Sequence, residues 1–253
     1  MIVFIIPLKS PKASKSWELT CAFFERTLRS ICGQTCSDFH VVVVCNEKPI
    51  INFHTPFVEY IEVDLPVPSA EWLMREKDKA QKLAIGLERS KHLSPSHVMV
   101  VDADDLISNK IAEFVKRNSE QTGWHFNKGY IHEYTNNYLY YLRKEFGEYC
   151  GSSVIIKPDL FHYLFIDFGN KDSVETNFYD HTCKCLPAHK IVLNNIPFCG
   201  AIYSRTNGDN IFAVDAFYTK LVPKFDFFAN VKHLTRFRLI TSKTRKEFGF
   251  YEI

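Results

Sequence analysis

Three carboxylates within four residues follow a short apolar run near the middle of the chain. Residues 98–101 (VMVV) end at Asp102, and Asp104 and Asp105 follow closely. An apolar run of this length predicts a buried strand, so the carboxylates lie at its carboxyl end, where open α/β sheets bind ligands. Two unit charges about 4 Å apart repel by roughly 4 kcal/mol at an effective dielectric of about 20. The cluster therefore favours a bound divalent cation.

A second interpretation of these residues is a solvated acidic turn in which Asp105 or Ser108 caps the following helix. For Asp105 both interpretations remain open. For Asp102 and Asp104 the ligand site is favoured, since two adjacent carboxylates are a poor structural choice without a counter-charge.

The three carboxylates at residues 102–105 form an acidic tip, and the elements before this tip predict a parallel sheet. Residues 2–6 form an uninterrupted apolar run that ends at Pro7, and further strands are expected over residues 39–45 and 58–63. Between the first two, Ser16 is a plausible N-cap and Gly33 a plausible C-cap of a helix with apolar residues at helical spacing. Strand, helix, strand and strand in this order are typical of α/β proteins.

A long helix is expected from about Ser69 to Ser90, leading directly into the acidic strand. Asp78, Lys79 and Lys82 lie close together on it. In one interpretation they form a solvated face with an Asp78–Lys82 pair at i,i+4 spacing. In the other, a lysine reaches the phosphates of a ligand.

The second half of the chain continues as alternating short elements. A helix is expected after Ser108, strands over residues 129–134 and 154–156, and a helix from Ser173 to Leu186 that carries Asp180 and His181. Short strands are expected over residues 191–193 and 201–203, a loop over residues 166–173 and a polar turn over residues 204–210. No internal repeat or linker is evident, so one domain is predicted, with parts 1–106, 107–215 and a basic, aromatic tail 216–253.

Composition excludes several classes of protein. The chain has 253 residues, 46% of them hydrophobic, and a net charge of +2, which gives ample apolar content for one core and no basic footprint for nucleic acid. The first residues resemble a strand rather than a signal peptide, and no run is long enough to span a bilayer. The eight cysteines, several within apolar patterns, favour a reducing, cytoplasmic compartment, and their spacing is not that of a zinc site.

Several segments together resemble the family 2-type glycosyltransferases of the GT-A fold. They are the opening strand to Pro7, residues 27–35 (TLRSICGQT) followed by the strand ending at Asn46 and Glu47, the Asp102–Asp105 tip, and residues 203–210. The resemblance implies a single Rossmann-like α/β domain with a central, mostly parallel sheet flanked by helices. It also implies metal-dependent transfer of a sugar from a nucleotide-diphosphate sugar, such as a UDP-sugar, to a hydroxyl of a glycan or lipid-linked acceptor.

The resemblance implies roles on the donor side. Asp104 binds Mn²⁺ or Mg²⁺ on the donor diphosphate, and Asp102 contacts the ribose, or the metal through water, with Ala103 between them. Glu47 lies near the base or ribose. The rest of the expected donor site is Pro7, Lys9 and Lys79.

The resemblance also implies roles on the acceptor side. The family has a Glu-Asp pair whose Asp is the base of an inverting displacement, and Asp180 occupies that position. Tyr179 replaces the Glu, His181 offers a second proton acceptor, and Glu175 is a weaker candidate. Gly151 and Ser152 match acceptor contacts. Peripheral membrane association remains open.

Other functions compete with this interpretation. A haloacid-dehalogenase-type phosphatase would use Asp102 as a nucleophile, although its motif normally lies near the N-terminus with Thr where this chain has Leu106. A catalytically silent GT-A module that binds a nucleotide or glycan is consistent with Tyr179 and with Asn207, which replaces a common His. A nucleotide-sugar pyrophosphorylase is disfavoured because no glycine- and arginine-rich loop follows the first strand.

Overall fold

The computed structural model describes residues 1–134, 136–167, 177–205 and 233–253. Its α-helices are α1 (Trp17–Cys32), α2 (Trp72–Ser90), α3 (Ile111–Arg117) and α4 (Ser242–Phe248). Its strands are β1 (Ile2–Pro7), β2 (Phe39–Cys45), β3 (Val58–Glu62), β4 (His97–Val100), β5 (Leu106–Ile107), β6 (Gly123–His125), β7 (Gly129–Glu133), β8 (Tyr138–Leu142), β9 (Val154–Ile156), β10 (Phe165–Asp167), β11 (Asn177–Tyr179), β12 (Asn194–Asn195), β13 (Ala201–Arg205) and β14 (Phe237–Leu239).

A seven-stranded sheet forms the centre of the described fold. Its strand order is β12-β6-β9-β4-β1-β2-β3, and β4, β1, β2 and β3 run parallel. β9 is antiparallel to both β4 and β6. The predicted α/β architecture with a central, mostly parallel sheet is therefore confirmed.

Helices cover both faces of this sheet because alternate residues of the buried strands point to opposite sides. On one face Phe24 and Leu28 of α1 pack with Phe4 of β1. On the other, Leu83 of α2 packs with Ile5 of β1. Ser16 caps α1 by accepting a 3.2 Å hydrogen bond from the amide of Leu19, as its sequence predicts.

A second sheet lies beyond the acidic tip, with strand order β14-β8-β7-β13-β5. β5 begins directly after Asp105 and pairs antiparallel with β13. The chain leaves the central sheet at the end of β4 and enters the second sheet within six residues, so the acidic tip lies at the junction of the two sheets.

The predicted helix over residues 173–186 is wrong in its described part. Residues 177–179 form β11, which pairs antiparallel with β10, and a turn follows. Aromatic Phe178 and Tyr179 suit a strand, and the Asp180 side chain satisfies backbone groups of the turn instead of those of a helix. Residues 168–176, including Glu175, lie outside the described residues.

Smaller boundary predictions also differ from the structure. α2 begins at Trp72 rather than Ser69, α3 begins at Ile111 with Lys110 rather than Ser108 in the cap position, and the strand expected over residues 191–193 is found at Asn194–Asn195. Residues 206–232, which include Asn207, most of the polar turn and much of the tail, lie outside the described residues.

Two other findings bear on the sequence predictions. All eight cysteines are among the described residues, and none forms a disulfide. In the described ranges, no helix has both the length and the apolar character needed to cross a bilayer.

Candidate functional site

A cleft of about 230 Å³ opens at the carboxyl ends of β1 and β4. Its wall combines the end of β1, the first turns of α2 and the acidic tip. The described residues that line it are Pro7, Lys9, Ala13, Pro68, Arg75, Glu76, Asp78, Lys79, Asp102, Asp104, Tyr149, Gly151, His181 and Tyr203.

The structure brings together most of the site residues predicted from the sequence. Seven of them line the cleft: Pro7, Lys9, Lys79, Asp102, Asp104, Gly151 and His181. Four others do not line it, namely Glu47, Ala103, Ser152 and Asp180. Glu47 is exposed in the turn after β2, and Ala103 packs against the core.

Asp105, the last residue of the acidic tip, anchors the tip to the protein interior. This side chain is fully buried and accepts hydrogen bonds from the Ser204 amide at 2.9 Å, the Ser152 hydroxyl at 2.7 Å and the Cys150 thiol at 3.3 Å. Burial raises the pKa of Asp105 well above its ordinary value, and the nearby charges of Asp104 and Asp102 add to the effect. Asp105 therefore ties the tip to β13 and to the segment before β9, and it does not cap a helix.

Ser152 fixes the backbone of the tip. Its hydroxyl accepts a 2.8 Å hydrogen bond from the Asp102 amide while it donates to Asp105. The side chain is fully buried, which differs from the acceptor contact expected from the sequence. Its contacts in the structure are those of a residue that positions Asp102.

Lys79 pairs with Asp102 inside the cleft. The Lys79 Nζ lies 2.5 Å from Asp102 Oδ1 and 5.8 Å from the centre of the Tyr179 ring. Burial alone would lower the pKa of Lys79, but the negative charges of Asp102 and Glu76 outweigh it and raise the pKa above its ordinary value. Lys79 thus remains a cation beside the acidic tip.

Asp78 and Lys82, also on α2, are not the solvated pair that one interpretation predicted. Their side chains pair at 2.8 Å, as the i,i+4 spacing predicts, but Lys82 is fully buried and Asp78 is 8% exposed. Burial raises the pKa of Asp78, and the neighbouring Lys82 ammonium opposes that rise.

The two candidate bases occupy different environments. Both carboxylate oxygens of Asp180 accept hydrogen bonds within its own turn, from Thr182 and from the amide of Cys185 at 3.0 Å. Burial alone would raise the pKa of Asp180, but these hydrogen bonds outweigh it and the pKa lies below its ordinary value. Asp180 therefore serves as the anchor of the turn that carries the next residue.

That next residue, His181, lines the cleft. Its ring donates a hydrogen bond to the backbone carbonyl of Glu148. Burial lowers the pKa of His181, and the positive charge of Lys79 lowers it further. At neutral pH the imidazole is therefore neutral, with one ring nitrogen engaged and the other able to accept a proton.

The donor set of the tip fits a divalent cation whose remaining ligands come from a substrate. Mg²⁺ and Mn²⁺ prefer carboxylate oxygens, and Mg²⁺ commonly binds through one or two carboxylates together with substrate phosphates. Asp102 and Asp104 both line the cleft and supply such oxygens. Within the described ranges no group of three or more His, Cys, Asp or Glu side chains has the geometry of a metal site.

Sequence reasoning missed several residues of the cleft. Arg75, Glu76 and Asp78 lie on the first two turns of α2, and Tyr149 and Tyr203 come from outside it. The sequence signal for these residues is the run of charged residues at helical spacing along α2. A solvated surface helix has the same pattern, so this signal does not distinguish the two. Among the described residues, the Arg75 guanidinium has no ion-pair partner, so it offers a second cation to a ligand in the cleft.

This chain is similar to several solved structures at low sequence identity. No family model and no curated protein matches the sequence. A structure of Staphylococcus aureus TarS residues 1–349 in complex with UDP-GlcNAc is 10% identical with a TM-score of 0.46, over 97% of this chain and 69% of that one. A second TarS structure is 11% identical with a TM-score of 0.46, over 80% of this chain and 60% of the other. This chain therefore spans only about three-fifths of the length of that TarS chain. The bifunctional IspDF of Campylobacter jejuni is 14% identical with a TM-score of 0.40, over 81% of this chain and 49% of that one.

Proposed function

We propose that this chain transfers a sugar from a nucleotide-diphosphate sugar, a UDP-sugar in the first instance, to a hydroxyl of a glycan or lipid-linked acceptor. The observation that carries the proposal is one cleft, at the ends of parallel strands, that contains the Asp102 and Asp104 carboxylates beside the cations Lys79 and Arg75. Carboxylates for a metal and cations for phosphate oxygens are the two kinds of group that a metal-bound diphosphate requires.

On the donor side, Asp104 and Asp102 are the residues that would hold Mn²⁺ or Mg²⁺. A bound cation neutralises negative charge that develops on a leaving diphosphate. Lys79, which pairs with Asp102, and Arg75 supply positive charge from α2. Pro7 and Lys9, at the end of β1, border the part of the cleft left for the nucleoside.

On the acceptor side, we assign the base to His181 and a positioning role to Asp180. His181 removes the proton from the acceptor hydroxyl as that oxygen attacks the anomeric carbon. The new bond is between this carbon and the acceptor oxygen, the bond to the diphosphate oxygen breaks, and the nucleoside diphosphate leaves. The lowered pKa of His181 supports this assignment, because the neutral imidazole accepts the proton.

The test is nucleotide release from a panel of UDP-, GDP- and dTDP-sugars with and without Mn²⁺, together with a thermal shift measurement. We expect metal-dependent release with wild-type protein and, for Asp104→Asn, a loss on the order of hundredfold or more. Asp159→Asn is the matched control, since Asp159 is an exposed carboxylate outside the cleft. Phosphate release from simple monoesters, with no nucleotide released, would support the phosphatase alternative and contradict the proposal.

A catalytically silent binding module is the second candidate. It is favoured by one observation: both oxygens of Asp180, the residue at the expected base position, are engaged within its own turn. This candidate predicts that the same nucleotide-sugars raise the melting temperature while no nucleotide is released with any acceptor hydroxyl, including water.

A further inference from the structure

Several apolar side chains are exposed together beside the cleft. Trp72, Leu73 and Met74 are the first three residues of α2, and Val67 lies in the loop before it. Each of the four side chains is between 38% and 52% exposed, and they account for four of the ten large apolar side chains that are exposed in the described ranges. Isolated exposed apolar side chains are ordinary, whereas a group of them marks an interaction surface. These four residues are named the apolar rim.

The apolar rim borders the cleft. Pro68, which follows Val67, and Arg75, which follows Met74, both line the cleft. Consecutive residues of an α-helix are about 100° apart, so the side chains of residues 72–74 cover more than half of the circumference of the first turn. This turn of α2 is therefore apolar around most of its circumference, beside the cleft.

Trp72 is fixed on one side and open to water on the other. Its ring stacks on the ring of Phe178 in β11, with the ring centres 5.9 Å apart and the ring planes within 9° of parallel. Phe178 is buried, whereas Trp72 is half exposed. Tryptophan is enriched at membrane–water interfaces, where its amphipathic ring lies at the level of the lipid headgroups. An ordered indole suits that environment and loses little conformational freedom on docking.

A second segment beside the cleft supplies positive charge. Residues 9–15 border the cleft through Ala13 and contain three lysines and no carboxylate. Lys12 and Lys15 are exposed. Residues 65–79, which include the apolar rim, have three acidic and three basic residues. The two segments together therefore have an excess of three positive charges, although the whole chain has a net charge of only +2.

We propose that the apolar rim docks this chain on the surface of a bilayer that contains anionic phospholipids. The apolar side chains enter the boundary between headgroups and acyl chains, and the lysines of residues 9–15 contact lipid phosphates. A second copy of the chain fits this surface less well, since an isologous contact would bring two positive segments together. Docking directs the cleft towards the bilayer. Vesicle binding needs no nucleotide, so it stands or fails separately from the sugar transfer proposed above.

The first experiment is sedimentation of the whole chain with vesicles of phosphatidylcholine alone, or of phosphatidylcholine and phosphatidylglycerol in equal parts. We expect partition into the anionic vesicles to be stronger by about tenfold or more, and to weaken as sodium chloride is added. The fluorescence of Trp72 should shift to shorter wavelength, because Trp17 and Trp124 are less exposed. Absence of binding to the anionic vesicles, or binding without this shift, would overturn the proposal.

The second experiment assigns vesicle binding to the apolar rim. The triple variant Val67→Ser/Leu73→Ser/Met74→Ser keeps Trp72 as the reporter and should lose about tenfold or more in partition. Leu73→Ser alone should lose a smaller part, and it is used if thermal melting shows that the triple variant is unstable. The matched control replaces three exposed apolar side chains outside the rim and should bind as wild type does: Ile50→Ser/Val192→Ser/Leu239→Ser. Equal partition of the folded rim variant and the control would overturn the assignment.

The third experiment tests the contribution of charge. Lys12→Gln/Lys15→Gln should bind anionic vesicles several-fold more weakly and keep the wild-type affinity for phosphatidylcholine. Lys116→Gln/Lys243→Gln removes two exposed lysines elsewhere in the chain and should match wild type. Equal weakening in both double variants would show a dependence on net charge alone and overturn the assigned orientation. Self-association that the rim variant abolishes, without vesicle binding by wild type, would identify a second copy as the occupant and overturn the proposal.

Discussion

A β-carbon on Gly151 would lie 2.3 Å from Oδ2 of Asp102 and 3.0 Å from Nζ of Lys79. No side chain fits there without displacing one of these groups. The absence of a side chain at Gly151 therefore leaves room for the Asp102–Lys79 pair.

Gly151→Ala is expected to impair the cleft more than the fold. The methyl group pushes Asp102 away from Lys79, and a displacement of about 1 Å in a reacting site can reduce turnover roughly hundredfold. The loss of stability should be small, because the two contacted atoms are the ends of side chains that can shift in the cleft. Turnover of the nucleotide-sugar and denaturant unfolding are the two measurements. Gly33→Ala is the matched control, because its β-carbon would make only ordinary 3.4 Å contacts with Arg29 and Ser30. Equal turnover in Gly151→Ala and Gly33→Ala would contradict the prediction.

Ser152→Ala should weaken donor binding through Asp102 without removing any group from the cleft wall. The Asp102 amide loses its acceptor and Asp105 loses one donor, and leaving a buried polar group unpaired costs about 1–3 kcal/mol. We expect lower stability together with a higher KM for the donor, measured by urea unfolding and steady-state kinetics. Ser90→Ala removes another buried serine, which donates to the Leu87 carbonyl at the far end of α2. It should lower stability and leave KM unchanged. An unchanged donor KM in Ser152→Ala would show that the hydroxyl does not position Asp102.

Local sequence signals predicted the first third of the fold well. The apolar run of β1, the Ser16 cap and the run of β2 each follow from neighbouring residues in the chain, and the structure has all three. The acidic tip at residues 102–105 is also predictable from local sequence. An abrupt change from apolar to acidic residues marks a strand end irrespective of what packs around it.

The misplaced features depend on contacts between distant residues. Asp78 and Lys82 have the spacing of an ordinary surface pair, and only the packing of α2 on β1 and β2 buries them. The sequence predicts a helix around Asp180 because its neighbours permit one, whereas the pairing of β11 with β10 extends the backbone directly before it. Periodicity does not carry information about such pairings.

Activity should rise with pH through the pKa of His181 and reach a plateau by neutral pH. The base must be the neutral imidazole, and because burial and Lys79 lower the pKa of His181, the acid limb should lie below the ordinary histidine pKa of about 6.5. The measurement is the pH profile of kcat/KM, which reports the unliganded protein, for wild type, His181→Gln and Asp180→Asn. His181→Gln should lose the limb and on the order of 10²–10⁴-fold in kcat/KM. Asp180→Asn should retain the limb, although loss of its turn hydrogen bonds lowers stability. If Asp180→Asn lost the acid limb and His181→Gln retained it, the catalytic base would be Asp180 and not His181.

His132 should make the fold less stable as the pH falls. Its side chain is 2% exposed and its Nε2 lies 2.9 Å from the Asn136 carbonyl, and burial lowers its pKa to about 4, with Arg26 adding to the effect. The unfolded chain, with a histidine pKa of about 6.5, binds more protons at this site between the two values. Above pH 6.5 the neutral His132 contributes up to about 3 kcal/mol to the free energy of unfolding, and this contribution is lost as the pH falls towards about 4. Urea unfolding across this range should give a shallower decline for His132→Asn than for wild type, and parallel declines would rule out the contribution. His162→Asn, at an exposed histidine, is the control and should follow wild type.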